Sequence, residues 1–93
     1  PHETIESKIV EVLNLMDEET VSVVVSSRAD DNKGEVLVLI SCVTIDEELL
    51  RQKLIDEGFP NLWIPRIIKQ VEEIPILASG KLDLKGCQTL AAN

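Results

Sequence analysis

The run Pro75-Ile76-Leu77-Ala78-Ser79-Gly80-Lys81-Leu82-Asp83, or P-x4-G-K-x-D, holds the residues best placed to do chemistry. A lysine ammonium is a compact point charge on a flexible stem, suited to meeting an anion. Gly80 beside it permits close backbone approach or a positive φ, and Ser79 can hydrogen-bond locally. Together they read as a turn that supports Lys81. The Gly-Lys pair is not a P-loop. Leu82 stands where that motif has Ser or Thr, and Pro75 where it has its first glycine. On these residues alone, a solvated lysine in a Ser-Gly turn is the ordinary reading of such a dipeptide.

Other chemistries fail on residue supply. The single histidine, His2, sits at the start of the chain, so neither a Ser–His nor a Cys–His arrangement can be built around a base. Two cysteines 45 positions apart, Cys42 and Cys87, do not make a zinc site, and no metal ligands are assigned. Asp30-Asp31-Asn32-Lys33-Gly34 resembles a calcium loop, but its glycine falls out of register, and a hairpin turn fits better. The formal charge of −8 argues against nucleic acid as a partner, since phosphate neutralisation needs clustered Lys and Arg. That charge is uneven: residues 1–46 carry ten acidic and three basic side chains, whereas residues 60–93 carry three and four. A locally basic end can therefore face an anion, although a solvated acidic surface accounts for most of the surplus.

Ninety-three residues form one domain with a modest core. Phe59 and Trp63 are the only aromatics, so Ile, Leu and Val must build that core. Cys42 lies in an apolar run and reads as a buried, reduced thiol, which points to a cytoplasmic origin. No apolar run reaches the length of a membrane span.

Hydrophobic periodicity supplies the elements that would carry the lysine. Ile5, Ile9, Val12, Leu13 and Met16 share one face of a helix from His2 to about Met16, ended by Asp17-Glu18-Glu19. Thr20–Ser27 is β-branched and reads as a strand, and Arg28–Gly34 as the turn after it. Glu35–Val43 is nearly continuous apolar, as in a central strand covered on both faces, and pairs back antiparallel. Thr44 and Glu47 have the spacing of a capping box, with Asp46 a rival cap. The helix they open sends Leu49, Leu50, Leu54 and Ile55 to the core and stops at Gly58. A loop with two prolines leads to a third strand, Arg66–Ile74, and the tail from Ile76 is a loop through Gly80 and a short last helix. The order α-β-β-α-β plus this tail predicts an α+β fold, a small sheet of about three strands with flanking helices. The helical pattern begins at residue 2 without a flexible lead, as in a domain cut from a longer chain.

P-x4-G-K-x-D after a strand that follows Ile64-Pro65-Arg66 resembles the last motif of the AMP-forming acyl-CoA synthetase, adenylation-domain and luciferase superfamily. The helix after Thr4-Ile5-Glu6, the Asp30-to-Glu35 hairpin and Glu47-Glu48-Leu49 fall in the family's order, so the resemblance covers essentially the whole chain. Gly58–Arg66 and Ile74–Asp83 are most similar to one branch, the acyl-acyl-carrier-protein synthetases, including the 2-acylglycerophosphoethanolamine acyltransferases. In the common pattern a basic residue follows the aspartate. Here Leu84 stands there, and Lys85, one later, is the candidate substitute.

The resemblance implies that residues 1–93 are the single C-terminal lid domain of a larger ligase whose hinge and first hairpin precede residue 1. Lys81 would be the catalytic lysine that bridges a carboxylate and the α-phosphate of ATP during acyl-adenylate formation, before the domain rotates for thioester formation. ATP and magnesium would be bound mainly by the large domain, and this fragment alone would hold no cofactor and catalyse nothing. The implied partners are an N-terminal adenylation domain in cis, a fatty acid, and acyl carrier protein or CoA. Any membrane association would come through the parent chain. Trp63 reads as a core or inter-domain packing residue, and Arg66 and Lys69 as solvated. A free-standing acidic α+β interaction module, with Lys81 incidental, is the alternative.

Overall fold

The computed structural model describes residues 2–16, 21–32 and 34–93. Among them the chain forms α1 (His2–Val12), β1 (Val23–Asp30), β2 (Gly34–Ser41), α2 (Glu47–Asp56), a 3-10 turn (Asn61–Trp63), β3 (Ile67–Gln70) and α3 (Leu84–Ala92). The strands lie in the order β1-β2-β3, with β1 antiparallel and β3 parallel to β2. The short hairpin between β1 and β2 forces the first arrangement. The crossover through α2 returns β3 parallel. The α+β architecture predicted above is the one observed.

Side-chain alternation along the strands divides the core in two. Val23, Val25 and Leu39 point to one face, where they meet Ile5 and Ile9 of α1, Leu50 and Leu54 of α2, and Ile64. Val24, Val38 and Ile40 point to the other, against Ile74 and against Cys87 and Ala91 of α3. This explains why β2 is apolar almost without interruption: both of its faces are covered, and Val38, Leu39 and Ile40 are each 0 % exposed. Each such aliphatic side chain contributes about 1.5–3 kcal/mol by leaving water.

Helices α1 and α2 end by the same device. After α1, the Asn14 N–H donates to Glu11 O at 3.2 Å and the Leu15 N–H to Val10 O at 2.8 Å, with Asn14 at φ 58°. After α2, Gly58 donates to Ile55 O at 2.9 Å and Phe59 to Leu54 O at 3.1 Å, with Gly58 at φ 89°. Both are Schellman endings, which require a residue tolerant of the left-handed region; Asn serves as well as Gly. The predicted α1 therefore runs too long. Asn14 ends it, and Met16 is exposed instead of facing the core. The acidic run expected to stop it, Asp17–Glu19, lies outside the described residues, as does Thr20.

Strand boundaries shift for reasons of pairing. β1 continues through Arg28, Ala29 and Asp30, predicted as turn, because each has a ladder partner in β2 out to Gly34. The Asn32 N–H donates to Asp30 Oδ2 at 3.2 Å, closing the turn locally. β2 stops at Ser41, whose Oγ accepts from the Val43 N–H at 3.0 Å and turns the chain, leaving Cys42 half-buried. β3 pairs only over Ile67–Gln70, against Val38–Ser41. With β2 ended, Val71 to Ile74 have no partner strand to extend the predicted span, beyond one bond from the Val71 N–H to Ser41 O at 2.8 Å.

The capping box does not form. Asp46 is the N-cap, accepting from the Leu49 N–H at 3.2 Å, while Thr44 Oγ1 accepts from Gln70 Nε2. That places Leu50 and Leu54 inward and leaves Leu49 and Ile55 exposed, correcting the predicted core face of α2. Lys8 joins α1 to the end of α2, 2.9 Å from Glu57 and 3.1 Å from Glu11. These bonds, Glu57 first, raise the Lys8 pKa, although so exposed a pair adds little stability.

Candidate functional site

Each residue of the P-x4-G-K-x-D run can be placed by what its backbone does. Ile74, buried, anchors the chain after β3. From Pro75 the chain folds into a small hairpin in which Ile76 and Leu82 form an antiparallel bridge. The Leu77 N–H donates to Lys81 O at 2.7 Å, the Gly80 N–H to Leu77 O at 2.9 Å, and the Asp83 N–H to Pro75 O at 3.1 Å. Gly80 turns the hairpin at φ 89°, a conformation an L side chain resists. Leu82 packs inward with the α3-side core.

Asp83 then starts α3. Its Oδ1 accepts from the Gly86 N–H at 2.9 Å and its carbonyl from the Cys87 N–H at 3.0 Å, an N-cap that satisfies donors the helix cannot. Pro75, Gly80, Leu82 and Asp83 are thus accounted for by folding. Lys81 is not: its side chain is exposed at the end of the hairpin, and its ammonium has no hydrogen-bond or ion-pair partner among the described residues. Around it lie exposed apolar side chains of the same segment, Ile76, Leu77 and Leu84. An unpaired cation raised on a closed turn can meet an external anion without breaking any contact of the fold.

The other expected residues divide. Ser79 is exposed and its hydroxyl makes no hydrogen bond among the described residues, so the expected local bond is absent; only the turn position remains. Lys85 is exposed in the first turn of α3, with its carbonyl accepting from Thr89 Oγ1 at 3.1 Å. Arg66 is exposed, its N–H donating to Leu37 O at 3.1 Å. Lys69 corrects the prediction: it is half-buried, and its Nζ donates to Leu90 O at 3.0 Å, holding the last turn of α3 where the carbonyls are electron-rich. Trp63 packs edge-on to Phe59, ring centroids 5.7 Å apart, and stays part-exposed.

Sequence reasoning placed Asp83 in the motif but missed its role as the N-cap of α3, and it missed Gly86 altogether. The signal was present, since Asp83 stands just before Leu84, Cys87 and Leu90–Ala91 at helical spacing, a standard N-cap position. No group of three or more His, Cys, Asp or Glu able to hold a metal occurs among the described residues. The Cys87 thiol is buried; desolvation first, then the charges of Asp83 and Glu6, pushes its pKa up, away from nucleophilic use. No helix among the described residues is long and apolar enough to cross a membrane.

No family model matches the sequence. The fold is shared with parts of much longer solved proteins. The amide bond synthetase McbA from Marinactinospora thermotolerans matches with a TM-score of 0.76 and 22% identity, over 99% of this chain and 18% of its own. A fatty acyl CoA synthetase from Mycobacterium tuberculosis matches at 0.69 and 21%, over 91% of this chain and 16% of its own. An acyl-CoA synthetase (AMP-forming)/AMP-acid ligase II-like protein from Dyadobacter fermentans matches at 0.69 and 18%, over 95% and 26%. At such identities the likeness establishes fold. This chain has the fold of a segment that makes up about a quarter or less of these synthetases.

Proposed function

We propose that this chain is the C-terminal domain of an ATP-dependent, AMP-forming ligase, and that Lys81 supplies the ammonium for its acyl-adenylate step. The substrate class is a fatty acid, and the acceptor is the thiol of an acyl carrier protein or CoA, as the likeness of Gly58–Arg66 and Ile74–Asp83 to the acyl-carrier-protein branch suggests. The observation that carries the reading is the unpartnered Lys81 ammonium, in a motif whose neighbouring residues are occupied by folding, on a fold shared with named synthetases.

The chemistry follows from charge. A carboxylate attacking the α-phosphate brings two anions together, and negative charge grows on the phosphoryl oxygens and the departing pyrophosphate. An ammonium held between carboxylate and phosphate neutralises both and orients the attack. Lysine can do this from a hairpin because its stem spans a gap between domains. In this reading the metal and adenine contacts are made mainly by the N-terminal domain in cis.

In the full-length protein, Lys81→Ala should lower ATP–pyrophosphate exchange by roughly 10²–10³, the usual cost of removing one transition-state charge partner. Thioester formation from supplied acyl-adenylate should be largely spared. Equal losses in both half-reactions would exclude the assigned role.

A further inference from the structure

We propose that Asp83 is a positioning residue for Lys81, fastening the lysine hairpin to the first turn of α3 in a space that Gly86 leaves open; this rests on the reading of Lys81 above. Three bonds converge on Asp83. Its N–H closes the base of the hairpin on Pro75 O at 3.1 Å, its carbonyl accepts from Cys87 N–H at 3.0 Å, and its Oδ1 accepts from Gly86 N–H at 2.9 Å. Hairpin and helix thereby share one residue, two positions from the lysine.

Gly86 makes the joint possible. A Cβ at that position would lie 2.6 Å from Asp83 Oδ2, 3.0 Å from its Cγ and 3.1 Å from Pro75 Cβ. A side chain there would have to shift the capping carboxylate or move Pro75, at the hairpin base, away from the helix. Apart from this joint, the hairpin is held to the core by Leu82 and, at its entry, Ile74, while Ile76, Leu77 and Lys81 are exposed. The lysine stem is flexible, so its backbone is the part that folding can place in advance. A misplacement of about 1 Å at a reacting group can cost a hundredfold in rate.

The role requires an acceptor at position 83, not a charge, and Asn caps as well as Asp. The test is ATP–pyrophosphate exchange by the full-length protein with dodecanoate as the acid, together with amide exchange over residues 75–83. Asp83→Ala should lower kcat about tenfold with KM little changed and should speed amide exchange in the hairpin. Asp83→Asn should restore both. Gly86→Ala should reproduce the loss, and the double variant should be no worse than either single one, since both act on one joint. Asp83→Asn as damaging as Asp83→Ala, an unchanged kcat in a loosened Asp83→Ala hairpin, or additive losses would each overturn the proposal. Lys81→Ala separates the two readings. Activity kept in that variant removes the function proposed for Lys81, whereas activity lost there but kept in Asp83→Ala removes only the positioning role.

Discussion

The two faces of the sheet are built differently. The face under α1 and α2 is filled by large aliphatic side chains, with Ile5, Ile9, Leu39 and Leu54 all 0 % exposed. On the other face, α3 offers Cys87 and Ala91 as its buried residues. A helix with so little apolar surface to bury must be held by its ends, and α3 is: Asp83 caps the first turn, and Lys69 reaches across from β3 to the last. The thick face stabilises the domain. The thin face carries the helix on which the Lys81 hairpin is mounted, so placement there depends on a few directed bonds more than on area.

Truncations would sharpen this contrast. Leu54→Ala should cost about 2–5 kcal/mol in chemical denaturation, because the fully enclosed site leaves a cavity. Cys87→Ala on the other face should cost about 1 kcal/mol, in line with the loss of one methylene-sized group. Equal losses would erase the proposed difference between faces.

Lys69→Met keeps the apolar stem and deletes the bond to Leu90 O. About 1 kcal/mol should be lost, appearing as faster amide exchange in α3 with α1 unaffected. A uniform increase over both helices would show that α3 is not held separately by its end.

The smallest effect concerns Glu6 on α1, whose Oε2 accepts from the Val25 N–H at 2.9 Å. Burial raises its pKa above the ordinary 4.5, more than the Val25 bond and His2 lower it, with Glu3 adding to the rise. The folded state therefore binds this proton more tightly than the unfolded one. The contribution to stability is complete below pH 4.5 and is lost as pH rises through the folded value. Glu6→Gln retains an acceptor without the charge, so the difference between variant and wild-type stability should grow in the variant's favour from pH 4.5 upward. A difference that shrinks with rising pH would reverse this assignment.

Much of the thick face was legible from spacing: Ile5, Ile9, Leu50 and Leu54 follow helical periodicity, and the apolar β2 run follows from two covered faces. What was not legible depended on partners distant in sequence. Nothing local in Arg28–Asp30 says strand; Val36 and Glu35 across the ladder do. Nothing local in Lys69 says helix cap, because Leu90 O arrives from 21 residues away. The parallel pairing of β3 likewise depends on where α2 delivers the chain. At the candidate site, the turn at Gly80 and the exposure of the lysine beside it could be read from residue type. The role of Gly86 could not, since a missing Cβ becomes meaningful only when Asp83 and Pro75 occupy its place.

The bond from Val25 to Glu6 has a consequence for how molecules meet one another. β1 is an outer strand of the sheet, and a free row of amides on such a strand is a template for a strand from another molecule. Glu6 takes the amide of Val25, near the start of β1, and sets a carboxyl group beside an edge that no other strand among the described residues pairs. An incoming strand would have to displace that side chain to reach the Val25 amide, so the bond that ties α1 to the sheet also obstructs edge-to-edge stacking at this point.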